Sequence, residues 1–447
     1  MNDRGLVVAA GSSNEATIVF TPFFPKPKTF FLSAVLWTGL CMAFWFLFGR
    51  DIGQSLSLGA LIGFGFPAGP LEGADEAQTA LIAAARETAL DVWLYQYMIF
   101  CGAVFITLWR WLAPHRWFRW SVGASSAIIF ITWFQVQLDV MINNWFGTFY
   151  DLVQKALGAP GQVSAEDFYG QLATFANIAL VAITVAVVTR FLVSHYIFRW
   201  RTAMNDYYAA NWPKLRHIEG ASQRVQEDTM RFATVMEDLG VSLIDSLMTL
   251  IAFLPILWGL SAHVTKLPIV GAIPHALVFV AVLWAAFGTT ILAVSGIRLP
   301  GLQFRNQRVE AAYRKELVLG EDRADRAQPP TLGTLFQDVR RNYFRLYFNY
   351  LYFNVVRYGY LQAGVLVPYM ALGPSIVGGA LTLGVMQQIV RAFGRVESSF
   401  QYLVLSWTTI IELISIYKRL RAFEATLHHE PLSEIEREVT PAPVSDL

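Results

Sequence analysis

Eight apolar stretches, each long enough to cross a bilayer as a helix, dominate this chain and leave it few folds to choose from. A spanning helix needs about 20 apolar residues, and such stretches run over 29–48, 93–112, 122–142, 172–194, 239–260, 276–297, 346–371 and 380–416. The links between them alternate in charge. The second, fourth and sixth carry Arg110, Arg116 and Arg119, then Arg199, Arg201, Lys214 and Arg216, then Arg298, Arg305, Arg308, Arg314 and Lys315. The chain leaves its last stretch through Lys418, Arg419 and Arg421. The odd links are acidic or nearly uncharged: the first holds Asp51, Glu72, Asp75, Glu76, Glu87 and Asp91, and the fifth only Lys266. Lys and Arg concentrate on the cytoplasmic side of membrane proteins. One orientation satisfies every link, with both termini and the even links cytoplasmic. The expected fold is an all-α polytopic membrane protein with eight transmembrane helices.

Composition agrees. Charged residues make up 15% of the 447-residue chain, against roughly 25% in soluble domains. The net charge of +1 comes with no basic domain, so no nucleic-acid partner is expected. Cys41 and Cys101 lie in apolar runs and read as small buried side chains rather than a disulfide framework. The histidines are scattered, with no H-x-x-x-H pair, so no metal site is expected. No G-x-S-x-G nucleophile motif occurs, and no enzymatic activity is expected. The N-terminus has no basic region followed by a short apolar core, so no cleavable signal peptide is expected. Residues 1–22 read as a flexible tail, 23–425 as the transmembrane domain with an outer insertion at about 49–91, and 426–447 as a cytoplasmic tail. Within the insertion, 64–90 reads as a Gly/Pro loop and a short helix outside the membrane.

The long inner links contain few helix breakers. They read as helices continuing the spans into the cytoplasm. Six spans with two long inner helical extensions is the plan of an ABC-exporter half-transporter. That is a likeness of architecture, not of function. A complete ABC protein would carry a phosphate-cradling G-x-x-x-x-G-K-[ST] loop, yet this sequence contains no Gly-Lys pair at all. The expectation is a transporter without an ATPase of its own, served by an ion gradient or by a separate ATPase.

Acids at or inside spans are candidate functional groups, because a charge there is costly. Glu227, Asp228, Glu237 and Asp238 lead into the fifth span, and Asp245 lies within it. Glu310 and Glu321 are 11 residues apart, which places them on one helix face about 16 Å apart. Arg314, one turn from Glu310, is positioned to hold it ionised. Glu412 is the acid of "TTIIELISIY" in the last span. Gln135, Asp139 and Asn143 form a polar stripe at i, i+4, i+8 on the third span and read as cavity lining. Each feature has a plainer account: solvated helix faces with i,i+4 partners for the glutamates, a hydrogen-bonded packing residue for Asp245, and interhelical contact for the stripe.

Long polar motifs narrow the choice. "LVSHYIFRWRTAMNDYYAANWPKLRHIEGASQRVQEDTMRFA" (192–233), "FFPKPKTFFLSA" (23–34), "PHRW" (114–117), "FYDLVQKAL" (149–157), "LPGLQFRNQRVEAAYRKELVLGED" (299–322), "NYFRLYFNYLYFN" (342–354) and "SWTTIIELISIYKRLR" (406–421) closely resemble the SbmA/BacA peptide transporters. The resemblance covers nearly all of 23–423. It departs at the N-terminal extension and at the outer insertion around 60–85.

The resemblance implies an inner-membrane homodimer of Gram-negative bacteria, with eight spans per subunit, six of them related to ABC exporters. It implies no cofactor other than the coupling proton. The implied activity is import of diverse periplasmic peptides, such as proline-rich antimicrobial peptides, microcins, and bleomycin-like or defensin-like peptides. It also implies that Glu237, Glu310 and Glu321, with Glu227 as a fourth, belong to a series of proton-carrying glutamates. The competing readings are an ABC-type transmembrane subunit using a separate ATPase and a non-transporting envelope protein.

Overall fold

Breakers decide where the apolar stretches start and stop as helices. Pro27 opens the first helix in its first turn, where a missing N–H costs nothing. Lys26, just before it, turns the chain with a left-handed backbone (φ 46°). The computed structural model describes residues 18–69, 76–217, 221–264, 266–268, 271, 273–425 and 427. Along them run α1 (Pro27–Phe44), α2 (Arg50–Leu56), α3 (Glu76–Leu112), α4 (Ser125–Gly158), α5 (Ala165–Ala210), α6 (Trp212–Leu215) and α7 (Ala221–Gln223). There follow α8 (Thr229–Leu260), α9 (Ala276–Gly296), α10 (Leu299–Asp322), α11 (Pro329–Val377), α12 (Leu383–Leu405) and α13 (Trp407–Ala425). No strand occurs among the described residues; a lone bridge joins Leu267 and Gly271.

The all-α polytopic expectation holds. Among the described residues, seven helical stretches are long and apolar enough to cross a membrane: Pro27–Leu56, Gln78–Leu112, Arg119–Gly158, Ala165–Ala210, Ala221–His263, Ala276–Glu321 and Pro329–Val377. The eighth stretch, expected at 380–416, forms α12 and α13, separated at Ser406. Arg391, Arg395 and Glu397 make α12 too polar to pass as an apolar span.

The helices overrun their apolar stretches. The 46 residues of α5 reach about 69 Å at 1.5 Å per residue, more than twice the roughly 30 Å of a hydrocarbon core. This bears out the reading of the inner links as continuing helices. The outer helix near 76–90 is not a separate short element, because it is the first part of α3. Of the two expected tails, 1–17, 426 and 428–447 lie outside the described residues. Ile18–Phe20 already forms a 3-10 turn with Val19 buried, so packing begins before residue 23.

The chain divides into two compact units. The first comprises residues up to 130, 191–233 and 416 onward. Aromatic side chains fill it. Phe23 stacks on Trp200 (5.7 Å, 10°), and Phe20, Phe24 and Phe232 all meet that indole. Here α3 is stapled to α1 and to the Trp45–Gly49 segment after it by bonds from side-chain donors to carbonyls: Trp37 Nε1 to Cys101 (3.2 Å), Tyr97 OH to Cys41 (2.8 Å) and Trp93 Nε1 to Gly49 (2.7 Å). A one-turn π segment at Trp45–Gly49 disturbs the α ladder there, and such bulges free backbone groups for outside partners. Cys41 and Cys101 are free thiols, half-buried on these two helices.

The second unit comprises 131–190 and 234–415. Phe253 and Leu257 of α8, Leu277 and Ala281 of α9, Leu372 of α11, and Ile389, Ala392, Phe393 and Val396 of α12 form its buried apolar core. Beside the core, α4 and the start of α12 meet along a polar, close-packed seam. Asp151 Oδ1 accepts the Gly384 N–H (2.8 Å), and Gln154 Oε1 accepts the Leu383 N–H (2.6 Å). These are first-turn amides of α12, which lack helical partners. A Cβ at Gly384 would fall on the Gly147 carbonyl oxygen, a backbone atom that cannot swing away.

Gly384→Ala should therefore lower the thermal midpoint of the detergent-purified protein. Gly394→Ala, on the same helix with open space at its Cβ, should leave it unchanged. Equal midpoints for the two variants would contradict close packing at this seam.

Candidate functional site

The α4–α12 seam continues into a cluster of charges. Asp139 lies three turns before Asp151 on α4. Its Oδ1 accepts from Arg395 Nη2 at 2.6 Å and lies 3.5 Å from Arg391 Nη2. The two arginines are i and i+4 on α12, so one carboxylate meets both. Asp245 of α8 lies in electrostatic range of Arg395 and Asp139. The cluster thus brings acids and guanidiniums together from three helices. Arg391 also sits over the Phe146 ring, 5.0 Å from its centroid. Each charge alone would be expensive in a membrane span; paired and half-buried, they become tolerable. One turn along α4 from Asp139, Asn143 is fully buried with neither amide atom hydrogen-bonded, while Gln135, one turn before, is half-buried. The stripe of Gln135, Asp139 and Asn143 therefore includes an ion-paired member and a buried one.

A second acid group sits on the far side of α12. Glu397 Oε1 accepts from Trp284 Nε1 of α9 (2.8 Å) and from Gln401 Nε2 (2.8 Å). Gln401 also reaches the Tyr360 hydroxyl (3.0 Å), and Tyr360 stacks on Trp284 (4.9 Å, 20°). Gly364 gives the carboxylate room, and Gly288 gives room to the Tyr360 ring.

The proposed glutamate series is distributed as follows. Glu227 lies in a π segment, Arg224–Asp228, of the first unit. It pairs with Arg231 at 2.8 Å and accepts from Gln223 Nε2 at 3.1 Å. Its neighbour Asp228 is buried and holds Arg419 through two bonds, 2.8 and 3.1 Å. Glu237, on α8 in the second unit, is half-buried and pairs with Arg190 at 3.3 Å, an arginine that also reaches Asp238 at 3.6 Å. Glu310 and Glu321 both lie on α10, half-buried and exposed respectively. Among the described residues no ion pair joins Glu310 to Arg314. The paired acid of this helix is Glu316, which holds Arg326 at 2.7 Å and the Ala327 N–H at 3.0 Å. Glu412 is half-buried on α13.

Sequence reasoning missed Arg190, Arg391, Arg395, Glu397 and Glu424. The signal was present for the arginines of α12: i,i+4 basic residues inside a supposed span demand an acid. Glu424, at the end of α13 and beyond the seven apolar stretches, is fully buried. It accepts a 2.5 Å hydrogen bond from Tyr208 of α5, and its other oxygen has no partner. Burial pushes this carboxyl from its ordinary 4.5 up to about 8.

A bundle of long apolar helices that encloses paired acids and bases is the construction of a polytopic membrane transporter. The sequence pattern of the SbmA/BacA-like family matches residues 114–428, and the chain belongs to that family. It is also similar to an uncharacterized ABC transporter ATP-binding protein of Synechocystis, 25% identical over 75% of this chain and 50% of that protein. The inner membrane ABC transporter ATP-binding protein YddA of Escherichia coli is 23% identical over 67% of this chain and 56% of its own length. The chloroplastic ABC transporter D family member 2 of Arabidopsis thaliana is 23% identical over 51% and 33%. The chain spans about half the length of the first two relatives.

Two outcomes follow from these contacts. Asp139→Asn strands two guanidiniums. Its cost should fall between the roughly 0–1 kcal/mol of exposed pairs and the roughly 3–5 kcal/mol of buried ones. Adding Arg395→Gln should restore part of the lost thermal midpoint; strictly additive losses would sever the pair. Glu424 folds as the neutral acid. At low pH both folded and unfolded chains hold this proton. As pH rises from about 4.5 to about 8 the unfolded chain releases it while the folded chain keeps it, so stability declines across that window. Glu424→Gln should remove this decline, and its midpoint should gain on the wild type between pH 5 and pH 8. Parallel pH profiles would contradict a buried neutral acid.

Proposed function

We propose that this transporter imports peptides from the periplasm to the cytoplasm, driven by the proton gradient. The observation that carries the reading is membership of the SbmA/BacA-like family across 114–428, a range that contains Glu227, Glu237, Glu310 and Glu321. Peptide transport is the known role of that family. The substrates would be diverse: proline-rich antimicrobial peptides, microcins, and bleomycin-like or defensin-like peptides. The working unit would be a homodimer in the bacterial inner membrane with both termini cytoplasmic. Each subunit would have eight spans, α12 and α13 completing the count, six of them in an ABC-exporter-like arrangement. Alternating access would expose the site to each side in turn.

The physical logic concerns proton affinity. A free glutamate titrates near 4.3 and would release its proton before any transport cycle used it. A neighbouring cation holds it ionised; separation from that cation or loss of water favours the proton. Glu237 of α8 lies beside Arg190 of α5, so a shift of one helix against the other would switch the group between these conditions, whereas the Glu227–Arg231 pair lies within one helical segment and would move as a unit. Asp139 of α4 lies beside Arg395 of α12 in the same manner as Glu237 beside Arg190. Protons are then the only coupling species, with no other cofactor.

A second reading has support of its own. The relatives from Synechocystis and Escherichia coli are named as ATP-binding ABC transporter proteins, so this chain could serve as a transmembrane subunit that takes energy from a separate ATPase.

Uptake of a labelled proline-rich peptide into proteoliposomes separates the two. With an inward proton gradient and no ATP, the wild type should accumulate peptide and a protonophore should abolish it. Glu237→Gln and Glu310→Gln should lose the gradient-dependent part. Uptake that ignores the gradient, or that requires added ATPase and ATP, would favour the second reading.

A further inference from the structure

At the junction of α9 and α10 the apolar span ends in an arginine-lined depression of about 450 Å³. Arg298 and Arg305 reach it from the α10 side and Arg345 from α11, with Ile297, Leu302 and Asn349 completing its walls. Among the described residues none of these three arginines has an ion-pair partner, and all three are exposed. In the same region Arg326 holds Glu316, Arg323 holds Asp325 and Arg341 reaches Asp338, whereas among the described residues Arg308, Arg314 and Arg340 pair with no acid and lie outside the depression.

The depression is built on a fixed frame. Asn342 of α11 donates to the Leu302 carbonyl (3.4 Å) and to Asn306 (3.1 Å), and the Tyr350 hydroxyl donates to Gln303 (3.2 Å). These bonds hold α10 and α11 in register, so the arginines are presented together. The first turn of α10 adds its own partial positive charge, and Gly301 leaves its backbone open on that side. Next to the charges the surface is apolar: Val294, Ile297, Phe348 and Leu351 are each more than 60% exposed.

Unpaired guanidiniums beside exposed aliphatic and aromatic side chains, at the end of a membrane-crossing stretch, are complementary to one ligand class. Guanidinium binds phosphate oxygens in a fork, and basic pockets between transmembrane helices take anionic lipid headgroups. We propose that the α9–α10 junction binds an anionic phospholipid. Its phosphate would lie among Arg298, Arg305 and Arg345, and its acyl chains would run along Val294, Ile297 and Phe348. The apolar flank selects a lipid over a free phosphate, since a soluble ion would leave those side chains uncovered.

The test uses the full chain purified in a neutral detergent. Phosphatidylglycerol added in mixed micelles should raise the thermal midpoint and appear as bound lipid in native mass spectrometry, whereas phosphatidylcholine should do neither. At about 1 kcal/mol per basic residue, the triple variant R298Q/R305Q/R345Q should bind on the order of a hundredfold more weakly. Arg305→Gln alone should bind about fivefold more weakly, which keeps the test valid if the triple variant folds poorly. A charge-matched control, R119Q/R201Q/R421Q, should retain full binding. The proposal is overturned if the control loses as much as the triple variant, because attraction would then be general. Equal protection by inorganic phosphate or glycerol phosphate would assign a soluble ligand instead. Lipid binding unchanged in the triple variant, with altered dimerisation, would assign this face to a second copy of the chain.

Discussion

A charge inside a membrane-crossing bundle needs a partner within the protein, because hydrocarbon offers none. The contact between α4 and α12 shows what that demand costs in sequence. Asp139, Asp151 and Gln154 sit on one helix to meet Arg391, Arg395 and the first amides of the other. Gly147 and Gly384 keep side chains out of the way so the backbones can approach. Remove the pairing and α12 carries two arginines whose charge is costly in a membrane interior. The apolar core of Phe253, Leu277, Leu372 and Phe393 is assembled on the opposite face of α12, so core and charge cluster depend on the same register.

This register also explains what sequence could and could not reveal. Spans made of uninterrupted Leu, Val, Phe and Ala, such as α9, were legible because hydropathy acts locally and adds up along a helix. The charge alternation of the links was legible for the same reason. In α12 the apolar and polar residues alternate with helical period, so an average over the stretch hides both faces; 380–416 reads as one long span, and the structure divides it at Ser406 into α12 and α13. The acids on α8 and α10 could be named because they interrupt apolar or motif-bearing runs. Their partners could not, since Arg190 reaches Glu237 from 47 positions away in the chain and Arg419 reaches Asp228 from 191. Asp139 was identified as a polar-stripe residue, but nothing near it in sequence announces two arginines some 250 residues later.

Carboxylates in this chain fall into two chemical conditions. Asp139, Asp228, Glu227 and Glu237 are each beside a guanidinium. Among the described residues, Glu397 and Glu424 are held by neutral donors, an indole and an amide in one case and a phenol in the other. A neutral donor stabilises a carboxylate less than a cation does, and burial opposes the charge of Glu424.

The number of guanidiniums at a carboxylate sets how readily its helices can part. An ion pair such as Glu237–Arg190 joins α8 to α5 within the second unit, so separating those helices would leave two opposite charges without their partners. The same argument applies to Asp139, with the difference that two guanidiniums compete for it. Loss of one contact there leaves the other in place, so that site tolerates partial helix movement while still charged. A single-arginine pair between helices thus opposes their separation from the start, whereas the two-arginine pair holds through part of the movement.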